Sequence, residues 1–135
     1  MIETRLQDTL ATWLCDRLKM AWTPELRCIG RIGIDGRILG AVGFVAWSAT
    51  AVEVHMAGDG GHWGSRALIK AGFDYAFRVY GAKVLIGCVP SGNVAAKRLN
   101  EHLGFKITAT ISDAHPDGAL HIMTLRREDC RYFKD

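Results

Sequence analysis

The sequence lacks the features that mark several classes of protein. Its four cysteines lie far apart, and no Cys-x-x-Cys pair occurs among Cys15, Cys28, Cys88 and Cys130. This spacing argues against a zinc site and a redox dithiol, so we expect buried thiols in a reducing compartment and no metal. No signal-like segment opens the chain, and no apolar run approaches about 18 residues. Secretion and membrane insertion have no support, and we expect a cytoplasmic protein without a membrane partner.

A strong charge imbalance is absent as well. The formal net charge is only +3, and the basic residues are scattered along the chain. We therefore expect no specific nucleic-acid partner. The 135 residues are 49% hydrophobic and 23% charged, which is enough for one substantial core and unlike a disordered chain. We expect a single domain over residues 1–135.

Hydrophobic periodicity and turn residues divide the chain into helices and strands. Asp35-Gly36 between two strand-like runs is a hairpin signal, and Gly81 and Gly104 stand where helices are expected to stop. The predicted helices cover residues 3–20, 65–80 and 93–103, with a short tail helix at 126–133. The predicted strands cover residues 27–34, 38–47, 51–57, 82–89, 105–112 and 119–125, with a loop at 113–118.

This order of elements predicts an α/β domain. Strand 82–89 is apolar on both faces, which is typical of a strand in the centre of a sheet. It follows strand 51–57 after a helix. We therefore expect these two strands to be parallel and joined by a helical crossover.

Residues 89–105 carry the most specific pattern. An apolar strand ends at Val89, Asn93 opens a helix, Gly104 stops it, and Phe105 begins another strand. This resembles the C-terminal half of the GNAT acetyltransferases, in which Asn-x-x-Ala and Gly-Phe follow a buried strand. The resemblance implies the GNAT fold, a mixed and mostly antiparallel sheet with helices on both faces, whose central strands splay around acetyl-CoA. The family's first strand is missing or short here.

Three further segments resemble a small, often phage-encoded subgroup of the family. They are His62-Trp63-Gly64-Ser65-Arg66, Phe73-Asp74-Tyr75-Ala76-Phe77 and Arg127-Glu128-Asp129-Cys130-Arg131. The resemblance then covers residues 26–133. It implies a protein of the cytoplasm of a bacterium or of a phage-infected host cell.

The turn at residues 58–66 is the candidate phosphate site. It leads into a helix, whose free N–H groups bind phosphate well, and its glycines allow close approach. The alternative is a flexible loop in which Ser65 is an ordinary N-cap. By position, the turn resembles the pyrophosphate site of the family. The contacts to acetyl-CoA, the co-substrate, that the resemblance implies are Met56, Ala57, Gly58, His62, Trp63, Gly64, Ser65, Arg66, Ser91, Asn93 and Ala96.

Glu53 and His55 are the candidate bases. They share one face of strand 51–57, and a polar pair in a covered strand is either solvated or functional. A carboxylate or an imidazole beside the thioester can remove the proton of an attacking ammonium. The resemblance implies Glu53 as that base, with His55 as the alternative.

Asn100 departs from the family pattern. Many GNAT enzymes have a tyrosine at this place, which protonates the leaving thiolate, whereas an amide supplies no proton at neutral pH. A thiolate with a pKa of about 8.5 leaves tolerably without an acid, so we expect Asn100 only to hydrogen-bond the sulfur. Cys88 has no partner base placed by sequence, and we do not expect it to be a covalent nucleophile. Phe44 and Trp47 are expected in the core, with an acceptor pocket as the alternative.

These patterns together predict an N-acetyltransferase that moves the acetyl group of acetyl-CoA to an amine by direct attack. The acceptor is a small-molecule or peptide amine that the residues do not specify. The alternative is a catalytically weak or inactive GNAT-fold module that binds CoA or protein, and that is host-directed if it is phage-encoded. A homodimer is one way to cover the exposed edges of the sheet.

Overall fold

The computed structural model describes residues 1–59 and 65–134 and contains a seven-stranded sheet in the order β1-β2-β3-β4-β5-β7-β6. The strands are β1 Ile2–Glu3, β2 Arg27–Ile32, β3 Ile38–Ala46, β4 Ala51–Gly58, β5 Val84–Pro90, β6 Lys106–His115 and β7 Gly118–Arg126. The α-helices are α1 Gln7–Leu18, α2 Arg66–Asp74 and α3 Val94–Leu103. A π-helical turn covers Tyr75–Val79, and a 3₁₀ turn covers Arg127–Asp129.

The sheet is mixed and mostly antiparallel, as predicted. In the described part of the chain, β4 and β5 form the one parallel pair, and the other neighbouring strands run antiparallel. The parallel pairing extends only from Ala51 and Val84 to Glu53 and Ile86. Beyond these residues the two strands part, which opens the sheet along the second half of β4.

Helices cover both faces of the sheet. On one face, Leu10 and Leu14 of α1 pack over β2 and β3. A Cβ atom at Gly43 of β3 would lie 2.6 Å from Cδ2 of Leu14, so the missing side chain allows the helix to lie close. Phe44 points to the opposite face, because neighbouring residues of a strand alternate. There α2 and α3 close the larger core around it. The predicted fold class is confirmed.

The N-terminus differs from the prediction. Residues 2–3 form a short strand against β2, so the first helix begins at Gln7 and not at residue 3. The carboxylate of Glu3 accepts hydrogen bonds from the backbone N–H groups of Thr4 at 3.0 Å and Arg5 at 2.7 Å. These bonds turn the chain between strand and helix. The first strand of the fold is therefore short and not missing.

Glycines end several elements where the sequence predicted it. Gly36 has a φ of 83°, Gly81 of 72° and Gly104 of 108°, which is the left-handed conformation of tight turns and helix stops. Lys19 adopts the same conformation with a φ of 53° and ends α1 earlier than predicted. The predicted helix 65–80 is not one regular α-helix, since a π-helical turn replaces its last part.

The C-terminal hairpin is longer than predicted. β6 extends to His115 and β7 begins at Gly118, so the predicted loop 113–118 is reduced to a tight turn. The predicted tail helix 126–133 is wrong, because only the 3₁₀ turn forms there. β6 lies at the edge of the sheet, and all of its residues before His115 are exposed.

Within the described ranges, we find no helix with the length and apolar character needed to span a bilayer.

Candidate active site

A cleft opens where β4 and β5 part. It has a volume of about 630 Å³, and its walls are the second half of both strands, the end of α1, the start of α3 and the β6–β7 turn. From Val54 to Gly58, β4 still pairs with β3, but no described strand pairs with it on the β5 side. An extended ligand with amide groups can hydrogen-bond to such an edge as a strand does.

Glu53 and His55 project from one face of β4 and contact each other. Nε2 of His55 lies 3.0 Å from Oε2 of Glu53, and Nε1–H of Trp47 donates to Oε1 at 2.8 Å. The hydrogen bond from His55 is the main reason why the pKa of the Glu53 carboxyl lies below its ordinary value. Burial opposes this shift, and the bond from Trp47 supports it. A carboxylate stabilised in this way is a weaker base than a free one.

The two residues differ in their access to the cleft. His55 lines the cleft, and Glu53 is not part of its lining. With the proton of Nε2 directed at Glu53, Nδ1 is the nitrogen of His55 that accepts a proton from a ligand. An imidazole oriented by a carboxylate is a recurrent arrangement of a general base.

Cys88 of β5 also contacts Glu53. Its thiol hydrogen-bonds to the Glu53 carboxylate. Burial, with the neighbouring negative charge, raises the pKa of the thiol to about 11. The nucleophilic thiolate is therefore scarce at neutral pH. The other three cysteines, Cys15, Cys28 and Cys130, are free and buried.

Asn100 of α3 lies beneath β5 and is only 9% exposed. Its Nδ2 is directed at Sδ of Met123, 3.9 Å away. Gly87 makes this position possible, because a Cβ atom there would come within 3.0 Å of the amide nitrogen. The side chain is part of the cleft lining but has no proton to donate as an acid.

Comparison with solved structures finds spermidine N-acetyltransferases among the proteins of similar architecture. A chimera of spermidine N-acetyltransferase SpeG from Vibrio cholerae and hSSAT matches with a TM-score of 0.76 at 14% identity, over 99% of each chain. The fold is that of the GNAT acetyltransferases. A mutant of Vibrio cholerae SpeG gives a TM-score of 0.79 at 14% identity, over 99% of this chain and 98% of that chain. No family model and no curated protein matches the sequence.

A third match is a structure with bound ligands. Spermidine N-acetyltransferase from Vibrio cholerae in complex with CoA and spermine matches with a TM-score of 0.69 at 17% identity. The match covers 91% of this chain and 76% of that chain. At such identities the likeness concerns the fold alone. In the described ranges of the present chain, no group of three or more His, Cys, Asp or Glu side chains is arranged to hold a metal ion.

The start of α3 lies at the cleft with small and polar residues. Asn93 is the N-cap of the helix, as predicted, and its Oδ1 accepts a hydrogen bond from the N–H of Ala96 at 3.1 Å. Both residues line the cleft. Ser91 lines an adjoining groove of about 420 Å³, together with His115 and Asp117 of the β6–β7 turn.

The implied acetyl-CoA contacts on β4 point in two directions. Met56 lines the cleft, whereas Ala57 packs against the cluster beneath α1. Gly58 is the last residue of the strand, and it is not part of the described cleft lining. Of these three residues, Met56 is the one that belongs to the described cleft lining.

The phosphate turn is described only at its ends. Ser65 is the N-cap of α2 and accepts a hydrogen bond from the N–H of Leu68 at 3.2 Å, as expected. Arg66 lines a groove on the outer side of α2, with Lys70, and is not part of the cleft lining. His62, Trp63 and Gly64, which were predicted to contact acetyl-CoA, lie outside the described residues.

The two hairpin aromatics have different positions. Phe44 is buried in the core, as expected, and its ring centroid lies 5.1 Å from that of Tyr75. Trp47 is 54% exposed, so the expectation of a core position is wrong. Its indole N–H binds Glu53, which holds the ring at the end of the hairpin and outside the core. Neither ring belongs to the described cleft lining.

Sequence analysis missed four cleft residues that come from distant segments: Leu18, Met20, His115 and Leu120. The first two lie at the end of α1, and the other two lie on the β6–β7 hairpin. Nδ1 of His115 accepts a hydrogen bond from the N–H of Asp117 at 3.2 Å, which assigns the proton of the neutral ring to Nε2. Local sequence predicted a turn here, but it contains no signal that this turn reaches the cleft.

Proposed function

We propose that this protein is an N-acetyltransferase that moves the acetyl group of acetyl-CoA to an amine by direct attack. The observation that carries the proposal is the position of His55, which lines the cleft between the parted strands while Glu53 holds its Nε2. The GNAT fold and the CoA bound in one SpeG structure support the choice of donor.

The residues around the cleft fit an acyl-CoA thioester. Beyond Glu53 the edge of β4 pairs with no described strand on the β5 side, so its backbone groups suit the peptide-like amides of the pantetheine arm. Asn93 and Ala96 form a wall of small and polar side chains at the start of α3, and Met56 faces them from β4. The N-terminus of α2, capped by Ser65, would take the pyrophosphate, with Arg66 and the turn before it.

His55 acts as the base in this proposal. Nδ1 accepts a proton from the acceptor ammonium, which must be neutral to attack the thioester carbonyl. Glu53 fixes the ring and stabilises the imidazolium that forms. The lowered pKa of Glu53 and its place outside the cleft lining make it a positioning residue instead of the base.

The leaving thiolate has no tyrosine to protonate it. Asn100 supplies a hydrogen-bond donor near the cleft but no proton. Because a thiolate leaves without an acid at neutral pH, this limits the rate without abolishing the reaction. The alternative function, an inactive module that binds CoA or protein, is favoured by this one position.

The acceptor is a small-molecule or peptide amine. No Asp or Glu belongs to the described cleft lining, and Asp117 is confined to the adjoining groove. A polyamine such as the spermine of the SpeG complex carries several positive charges, which need several carboxylates. The present lining therefore suits an amine with a single charge better.

Three wider expectations belong to the same proposal. The exposed edge strand β6, with Ile107 and Ile111 at its surface, supports a homodimer in which this edge is covered. A cytoplasmic location accords with the free cysteines. Kinship with the phage-encoded subgroup has the three sequence segments as its support.

The proposal is tested by free-thiol release from acetyl-CoA with a panel of amines, amino-acid amides and peptides. Wild type is compared with His55→Gln, which fills the same space but accepts no proton in this range. We expect release with at least one acceptor and its loss in the variant. Binding of acetyl-CoA without release for any acceptor would favour the inactive module.

A further inference from the structure

A second, smaller cavity lies beside the cleft. It has a volume of about 40 Å³ and lies between α2, α3 and the sheet. The described residues around it are aliphatic, aromatic, methionine or glycine, among them Val42, Val54, Met56, Gly72 and Leu99. Such a lining offers no hydrogen bonds to water, so the cavity is dry. Empty apolar space forfeits contacts in a close-packed interior, and a ligand carbon placed there regains them.

The cavity adjoins the cleft. Val54, Met56 and Leu99 line both spaces. Val54 is the first residue of β4 beyond its last pair with β5, so the two spaces meet where the strands part. His55 lies between Val54 and Met56 and projects from the other face, because side chains alternate along a strand. A thioester carbonyl in the gap between the two strands therefore has His55 on one side and the apolar cavity on the other.

We propose that this cavity holds the acyl chain of the donor, and that the protein transfers propionyl and butyryl groups as well as acetyl. The proposal rests on the acyltransferase function proposed above and specifies its donor. For each donor the acyl C–S bond breaks and a C–N bond to the acceptor forms. The ammonium gives one proton to His55 before attack, and the proton that the nitrogen loses as the amide forms passes through water to the CoA thiolate that leaves.

The size of the cavity sets the preferred chain length. A water molecule occupies about 30 Å³ in the liquid and a methylene group is of similar size. A cavity of about 40 Å³ thus takes one or two methylene groups. Burial of each methylene group should raise the affinity for the donor about fourfold. We expect affinity to rise from acetyl-CoA to butyryl-CoA and to fall for hexanoyl-CoA, whose further carbons exceed the space.

Gly72 offers a variant that fills the cavity without a clash. It lies on α2 at the cavity wall, and a Cβ atom there would lie 3.9 Å from the nearest atoms of Ile29 and Val42, which is ordinary contact. Gly72 is not part of the cleft lining, so Gly72→Ala should weaken the binding of butyryl-CoA more than that of acetyl-CoA. Lys70→Ala, on the outer side of the same helix, is the matched control.

The experiment is a calorimetric titration of wild type and both variants with acetyl-, propionyl-, butyryl- and hexanoyl-CoA. We expect wild type and Lys70→Ala to bind butyryl-CoA roughly 15-fold more tightly than acetyl-CoA. Gly72→Ala should lose most of that gain, so that its affinities for butyryl-CoA and acetyl-CoA become similar. The proposal is overturned if wild type binds butyryl-CoA no more tightly than acetyl-CoA, or if Gly72→Ala weakens all donors equally. If no donor binds at all, the proposed function fails, and this inference fails with it.

Discussion

Nε2 of His55 lies 3.0 Å from Oε2 of Glu53, two residues earlier on the same face of β4. Of the two, only His55 belongs to the described cleft lining. The contact separates two roles that the sequence left open between these residues. The imidazole faces the cleft, whereas the carboxylate contacts His55 and Trp47 outside the described lining.

Substitution of His55 and substitution of Glu53 should therefore lower the turnover rate to different extents. His55→Gln removes the proton acceptor, and we expect the rate with the true amine to fall by about 10²–10⁴-fold. Glu53→Gln leaves the imidazole in place and should lower the rate by a smaller factor. The loss in His55→Gln should shrink at high pH, because more of the acceptor amine is already neutral. Steady-state rates between neutral and alkaline pH check this. A larger loss in Glu53→Gln would make Glu53 the base.

Stability should depend on Glu53 in the acidic range. The pKa of its carboxyl is lower in the folded protein than its ordinary value of 4.5. The unfolded chain therefore binds this proton more readily, and the stabilisation is full above about pH 5. It is lost as the pH falls through the lowered folded pKa. Urea unfolding of wild type and Glu53→Gln between pH 7 and pH 3 should show the two stabilities converging. A constant difference across this range would contradict the assignment.

Cys88 should be dispensable for chemistry. Its thiol pKa of about 11 leaves little thiolate at neutral pH. We expect Cys88→Ala to retain turnover, and alkylation of Cys88 by iodoacetamide to be slow at pH 7 and faster as the pH rises. Mass spectrometry of the protein after mixing with acetyl-CoA should find no acylated Cys88. An acyl adduct on this residue, lost together with turnover in Cys88→Ala, would establish covalent catalysis.

Gly72→Ala should stabilise the protein. Alanine is favoured over glycine by about 1 kcal/mol inside a helix, and the added methyl group makes ordinary contacts at 3.9 Å with Ile29 and Val42. We expect the melting temperature to rise by about 4 °C. Gly104→Ala should lower the melting temperature instead, because φ is 108° there and a Cβ atom would lie 3.3 Å from Leu125. A fall in melting temperature for Gly72→Ala would show that the space beside α2 is not available.

Local chemistry explains which parts of the fold the sequence predicted. Asn93 caps α3 and Gly104 ends it, because a side-chain acceptor and a left-handed residue act within one turn of chain. Residues 2–3 lacked such a signal, since a strand of two residues has no periodicity and exists only through its pairing with β2. The same holds for His115, whose place at the cleft depends on how β6 and β7 pair.

The candidate site was predictable in part for a similar reason. Alternation along a strand placed Glu53 and His55 together, as the structure shows. It did not reveal which of them lines the cleft, because that depends on where β4 leaves β5. Trp47 was assigned to the core from its hydrophobicity alone. Its bond to Glu53 joins the ends of two strands, which a single strand pattern does not encode.

Binding of acetyl-CoA in the cleft between β4 and β5 is the central claim, and a matched pair of tryptophan variants tests it most directly. Ala95 is exposed and lines the cleft, whereas its neighbour Val94 is exposed and is not part of the lining. Calorimetric titration with acetyl-CoA should show similar binding to wild type and Val94→Trp and clearly weaker binding to Ala95→Trp, whose ring takes up part of the cleft. Equal binding to all three proteins, or binding to none of them, would contradict the account.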